Sequence, residues 1–176
     1  PNVNQCKECH AAEDKITPIG PKARNLNKKF VFNEGEFNQL TYWMNRQIID
    51  DYPLELVSPV DWTDDSQNIN DRVRSYLDVN CGHCHSPTGN ANSTGLYLHL
   101  DETRDIHLGL YKKPVATGRG SGGLKYSIVP GKPDESILLH RMISLDPGVM
   151  MPESGRALSH TEAVEMVREW ILVMED

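Results

Sequence analysis

Cys6-Lys7-Glu8-Cys9-His10 and Cys81-Gly82-His83-Cys84-His85 hold all four cysteines of the chain, and both read C-x-x-C-H. The repeat of this pattern, with no cysteine left over, governs how the rest is read. Two intervening residues let both sulfurs reach one porphyrin edge from a single turn, and the next residue projects its imidazole under the ring. This is the covalent attachment pattern of a c-type haem: the thiols add to the vinyl groups and the histidine binds iron. Cys6, Cys9 and His10 are therefore candidates for one haem c, and Cys81, Cys84 and His85 for a second, with His10 and His85 as proximal ligands.

Three other readings of paired cysteines fit less well. A four-cysteine zinc site normally sets its pairs about 15 to 20 residues apart, whereas 71 residues separate Cys9 from Cys81. A dithiol redox site needs a strand and helix pattern that surrounds neither pair. Disulfides between the motifs would leave the repeated trailing histidine unexplained.

The chain has 176 residues, room for one ordinary domain or two small ones. At 38% hydrophobic and 24% charged residues it reads as globular. A net charge of −7 argues against nucleic acid or an anionic membrane as the main partner, and no apolar run is long enough to span a bilayer. No apolar leader opens the chain at Pro1, so an exported protein would be present in processed or truncated form. Lys22, Arg24, Lys28 and Lys29 cluster without an acid, and Asp50, Asp51, Glu55, Asp61, Asp64 and Asp65 follow without a base. Two solvated faces are the favoured reading, and a dipolar surface that orients a docking partner is the alternative.

The Pro-, Asp- and Ser-containing stretch from Pro53 to Asn68 divides the chain into a first haem unit, 1–65, and a second, 66–176. Ile69, Val73, Tyr76 and Leu77 share a helical face leading into Cys81. Ser159 and Glu162 form an S-x-x-E capping box ahead of Ala163, Val167, Trp170, Ile171 and Met174, a stripe expected to pack on that first helix. Pro133-Asp134-Glu135 predicts a helix start for residues 136–143, and 86–131 reads largely as loop. In the first unit one helix is expected over about 36–49, with Phe37, Leu40, Trp43 or Met44, and Ile48 inward. Only five residues precede Cys6, so the first haem is expected to be cradled by both units. Pro18-Ile19-Gly20-Pro21 is either a loop under that haem or an ordinary turn.

These motifs, with Asn2 to His10, Pro18 to Leu26, Pro130 to Ser136 and Met150 to Arg156, resemble a family of exported bacterial dihaem c-type cytochromes over essentially the whole chain. Members carry a β-rich region upstream of the first motif, so the resemblance implies a C-terminal portion. The second unit separately resembles a small class I cytochrome c domain. The expected fold class is mainly α, with two small cytochrome c-like haem-binding units and long loops. The resemblance, with covalent haem attachment, implies a periplasmic or extracellular location.

Methionine and histidine are the usual ligands for the far face of such an iron. Met150-Met151-Pro152 lies in a loop between the predicted C-terminal helices, where similar proteins place a distal methionine directly before proline. Met151 is the choice and Met150 the runner-up, while Met142, Met166 and Met174 read as helix-face core. The first unit offers only Met44, which at helical spacing is equally core filler. His99, His107, His140 and His160 could be lent by the second unit, an upstream region or another subunit could donate, or the site could stay open; His160, after the expected N-cap, and His83, inside its motif, are not leading candidates. Arg119 and Arg156 are candidate propionate partners. Gly118 to Gly123 matches G-x-G-x-x-G without the strand and helix that a nucleotide site needs, and Asn92-Ser93-Thr94 is a weak glycosylation match.

The expected function is single-electron transfer between redox protein partners, with two haem c groups and no substrate chemistry. The alternatives are a dihaem peroxidase-like enzyme with an open first haem, or a module through which electrons enter a larger haem assembly, as oligomer or polymer.

Overall fold

The computed structural model describes residues 2–12, 15–16, 18–115 and 117–175. In chain order these form α1 (Val3–His10), β1 (Ala11–Ala12), β2 (Lys15–Ile16), α2 (Ala23–Leu26), β3 (Lys29–Phe32), β4 (Gly35–Asn38), α3 (Gln39–Asn45), α4 (Ile69–Asn80), α5 (Asp105–Leu108), α6 (Ile137–Ile143) and α7 (Thr161–Leu172). The strands make two separate antiparallel pairs, β1 with β2 and β3 with β4. The fold is therefore mixed, which corrects the expectation of a mainly α chain built from two cytochrome c-like units.

Local chemistry explains the correction in the first unit. Lys-Phe-Val-Phe favours an extended backbone, Gly35 takes the positive φ of 127° that closes the turn, and Phe30 pairs with Phe37 across the ladder. The helix expected over 36–49 consequently starts only at Gln39, where the Asn38 side chain accepts from Thr41 N at 3.1 Å, and stops at Asn45. Phe37 and Ile48, expected inward, are exposed. Tyr42 stacks on Phe32 at 3.7 Å between ring centroids and donates to Glu34, which also accepts from Arg46.

The core lies in the second half of the chain. Val73 and Leu77 of α4 meet Ala163, Val167 and Ile171 of α7 with no exposed surface, and Leu139 and Met142 of α6, which also packs on α7, join the same core. The Trp170 indole donates to Asn70 Oδ1 at 3.1 Å, tying the two long helices together. The apolar stripes foreseen for both helices are thus buried except at their ends, where Ile69 and Met174 are only half-buried against the core. The expected capping box is not formed: His160 is the N-cap of α7, its Nδ1 faces Tyr76 Oη at 3.0 Å, and Glu162 instead accepts from Thr161. Pro133–Glu135 makes a 3-10 turn, and the fully buried Ser136 that follows accepts from Val129 N and donates to the Lys132 carbonyl.

Among the described residues of 1–65, only Leu40 is buried. Trp62 joins this half to the other by packing on Tyr76 and His160, Val60 N donates to Ser75 Oγ at 2.9 Å, and charged ties add to these. Lys22 Nζ and Arg24 Nη2 donate to Asp78 Oδ1 at 3.1 and 2.6 Å, Arg24 Nη1 reaches Asp101 at 2.7 Å, and Leu100 N also donates to Asp78. Asp78 is 1% exposed and sits one turn before Cys81. Lys22 and Arg24 are therefore clamps across the chain, where solvated positions were expected. No helix among the described residues is long and apolar enough to cross a membrane.

Candidate functional site

The second C-x-x-C-H motif is wound onto the end of α4. Cys81 N and Gly82 N both donate to the Leu77 carbonyl at 2.9 Å, and Cys84 N and His85 N both donate to the Cys81 carbonyl, so the four residues form one tight turn. The chain then folds back closely: a Cβ at Gly89 would stand 2.2 Å from the Cys84 carbonyl oxygen, which only glycine avoids. Leu98 N donates to the His85 carbonyl at 2.8 Å and fixes the imidazole's backbone.

Beside this turn lies a largely apolar cavity of about 330 Å³, within the range of small-ligand sites. Cys81, Cys84 and His85 contribute to its wall, and Met151 joins them from the loop after α6. Met151 N donates to the Arg141 carbonyl at 3.0 Å, and Arg141 Nε donates to the Val149 carbonyl at 2.8 Å. Arg156 then pins the loop, donating to the carbonyls of Met142 (2.9 Å), Arg141 (3.1 Å) and Ser144 at the end of α6. Met150 is 8% exposed and lies outside the cavity wall, so the loop presents Met151 of the pair. Met142, expected as core, packs in the core and also lines the cavity.

Burial tunes the donors. His85 is pushed down to about 4, because desolvation disfavours the imidazolium, with the Leu96 carbonyl opposing. Its Nδ1 is nonetheless buried without a partner at hydrogen-bond distance among the described residues. A neutral imidazole at physiological pH is the form that binds a metal. The Cys81 thiol, crowded by surrounding protein, is pushed up to about 12 by burial and by neighbouring Cys84. Arg141 and Lys112 bring positive charge to the same wall and suit the acidic edge of a bound group. Neither was foreseen, because a lone cation in a helix or loop carries no sequence signature. The arginines that were foreseen act elsewhere: Arg119 pairs with Asp146 at 2.9 Å, and Arg156 staples α6.

The first motif closes α1, whose start is secured by a reciprocal capping box between Asn2 and Gln5. Cys6 is exposed, Cys9 and His10 are half-buried, and no described cysteine is in a disulfide. Cys9 lines the same cavity as the second motif. Its sulfur, the Cys84 sulfur and a His83 ring nitrogen all lie within 4.8 Å of one another. The two motifs therefore meet in space, a convergence that their separation in sequence conceals. His83 is lowered mainly by burial, with Lys22 and His10 nearby adding to the shift. Two thiols and an imidazole are also a soft-metal donor set, although structural zinc takes four ligands and the described residues supply three here.

The other candidate ligands are dispersed. Met44 is 37% exposed on α3, a helix that packs against β4 and α2. His107 Nδ1 faces Glu102 Oε2 at 3.1 Å, His160 is engaged with Tyr76, His140 presses on Gly122, and His99 lies beside the Tyr97 ring. Pro18–Pro21 is irregular chain running into α2.

The second donor set fits a covalent haem: two thiols, a half-buried imidazole with an orphaned Nδ1, a thioether and an apolar cavity lie together. Of the first set, Cys9 lines the same cavity, while Cys6 is exposed and His10 is half-buried. Comparison with family models, curated proteins and solved structures gives no match to this chain.

Proposed function

We propose that this chain is a dihaem c-type cytochrome that passes single electrons between redox proteins outside the cytoplasm. The observation that carries the reading is the cavity lined by Cys81, Cys84, His85 and Met151 together. When bound, haem supplies the one-electron chemistry through its iron, which alternates between ferric and ferrous. Cys81 and Cys84 anchor the group, His85 offers a neutral nitrogen and Met151 a thioether. Leu98, Ile137 and Leu138 line the cavity and exclude water, which limits solvent reorganisation as charge changes. Arg141 and Lys112 hold positive charge at the wall and balance acidic groups there. No acid–base step on a substrate is assigned to any residue.

Absorption spectra of the purified protein test the reading, in ferric and dithionite-reduced forms and after carbon monoxide or peroxide is added to separate samples. Two covalently bound low-spin haems per chain that ignore both reagents are expected. The Met151→Ala variant should lower the potential of one haem, because thioether ligation raises it, and should open that iron to carbon monoxide. Absence of haem bands would overturn the proposal, and peroxide turnover at a high-spin iron would replace the carrier with an enzyme.

A further inference from the structure

The first motif supplies one iron ligand, His10, and its own half of the chain holds only Met44 as a further methionine or histidine donor. Met44 lies on a helix packed against α2 and β4. The convergence of the two motifs offers a different donor. A His83 ring nitrogen lies within 4.8 Å of the Cys9 sulfur, which is one of the two anchors of the first attachment site. His83 Nδ1 is buried and has no hydrogen-bond partner among the described residues. The residue occupies the position between the two cysteines of the second turn, whose ends are fixed by bonds to the Leu77 and Cys81 carbonyls, so its side chain projects from a rigid platform. Of the remaining histidines, His107 faces Glu102, His160 is engaged with Tyr76 and Trp62, and His140 presses on Gly122, while His99, whose Nδ1 is likewise buried with no hydrogen-bond partner among the described residues, lies outside the cavity wall that Cys9 and His83 share.

We propose that His83, carried by the second motif, is the sixth ligand of the iron held at the first motif, opposite His10. This rests on the dihaem reading and adds to it a statement about coordination: the first haem is ligated by two histidines, the second by His85 and Met151. The Cys9 sulfur would tether the first haem, so an imidazole this close to it would stand beside that group when it is bound. His83 comes from a different segment of chain than His10, so the two imidazoles are not confined to one turn. The two sites then share a wall, because the residue that anchors one haem's turn completes the other's coordination.

The test uses the full chain matured with haem in an export-competent host. Haem content is measured first, followed by near-infrared magnetic circular dichroism, which separates histidine–histidine from histidine–methionine ligation. Two haems per chain with one signal of each kind are expected. In His83→Ala the first haem should become high-spin and bind carbon monoxide while the second is unchanged, and added imidazole should restore the low-spin form. His83→Met should retain a low-spin first haem with a raised potential. The comparison variants Met44→Leu and His99→Ala should leave both signals in place. Two haems with no histidine–histidine signal, or unchanged spectra in His83→Ala, would overturn the assignment and leave the dihaem reading standing. Fewer than two haems in the unaltered chain, or zinc bound in their place, would overturn both.

Discussion

Glu102 shows how much the loop beside the site depends on single residues. Its carboxylate is 5% exposed and accepts from Arg104 Nε and Nη2, both at 2.8 Å, from the backbone N of Thr103 and Arg104, and faces His107. The bonds from Arg104 foremost hold it well below the usual carboxylate range, against the opposing effect of burial. Arg74 completes the arrangement by donating to the carbonyls of His99, Leu100 and Glu102. A depressed folded value means that the stabilisation is present above the unfolded carboxylate range near 4.3 and is lost as pH falls through the folded value. Glu102→Gln should therefore cost about 2 kcal/mol at neutral pH and flatten the loss of stability below about pH 4. Denaturant titrations across that range check it; parallel curves for the two proteins would exclude the role. None of this was visible in the sequence, where Glu102 is one acid among many in a stretch read as loop.

At the scale of elements, the loop from Val149 to Arg156 is positioned by the end of α6. Helix ends leave carbonyls without partners, and Arg156 satisfies those of Arg141, Met142 and Ser144. Arg156→Ala should lower stability by about 2 kcal/mol and loosen Met151. In the haem-loaded protein this would be read as faster carbon monoxide uptake by the ferrous form, and an unchanged uptake rate would show that Met151 is held by other contacts. The sequence disclosed the α4 and α7 stripes because burial selects residues at helical spacing, and it singled out Met151, through its place in a resembling loop, as a residue that the structure puts on the cavity wall. It misled over 36–38 and 46–49, where Phe37 and Ile48 fit a helical period by coincidence while the aromatic run Phe30 to Phe32 and the turn at Gly35 impose a hairpin; Leu40, on the helix that does form, is buried as expected. The box at Ser159 and Glu162 failed for a similar reason, since a spacing cannot tell that His160 will be taken up by Tyr76.

For the molecule as a whole, the two halves are unequal: one contains the core and the other is attached to it. Asp78 receives Lys22, Arg24 and Leu100 N on a single oxygen. Removing one partner of a buried ion pair costs about 3 to 5 kcal/mol, so Asp78→Asn should destabilise the chain on that scale and release residues 18–26 first. Limited proteolysis followed by mass spectrometry would locate the earliest cuts, and first cuts in the second half would refute the clamp. Charge order along the chain had suggested solvated faces because sequence reports sign and spacing, and the matching buried acid lies 54 residues away. The meeting of the two motifs was hidden by the same ignorance of distance. Its consequence reaches past coordination. With the Cys9 and Cys84 sulfurs within 4.8 Å of each other, charge arriving at one motif would be felt at the other through partly desolvated protein. If each motif holds a haem as proposed, the pair would act as a single reservoir in which the second electron is harder to add than the first, and its fullness would set the driving force for the next transfer.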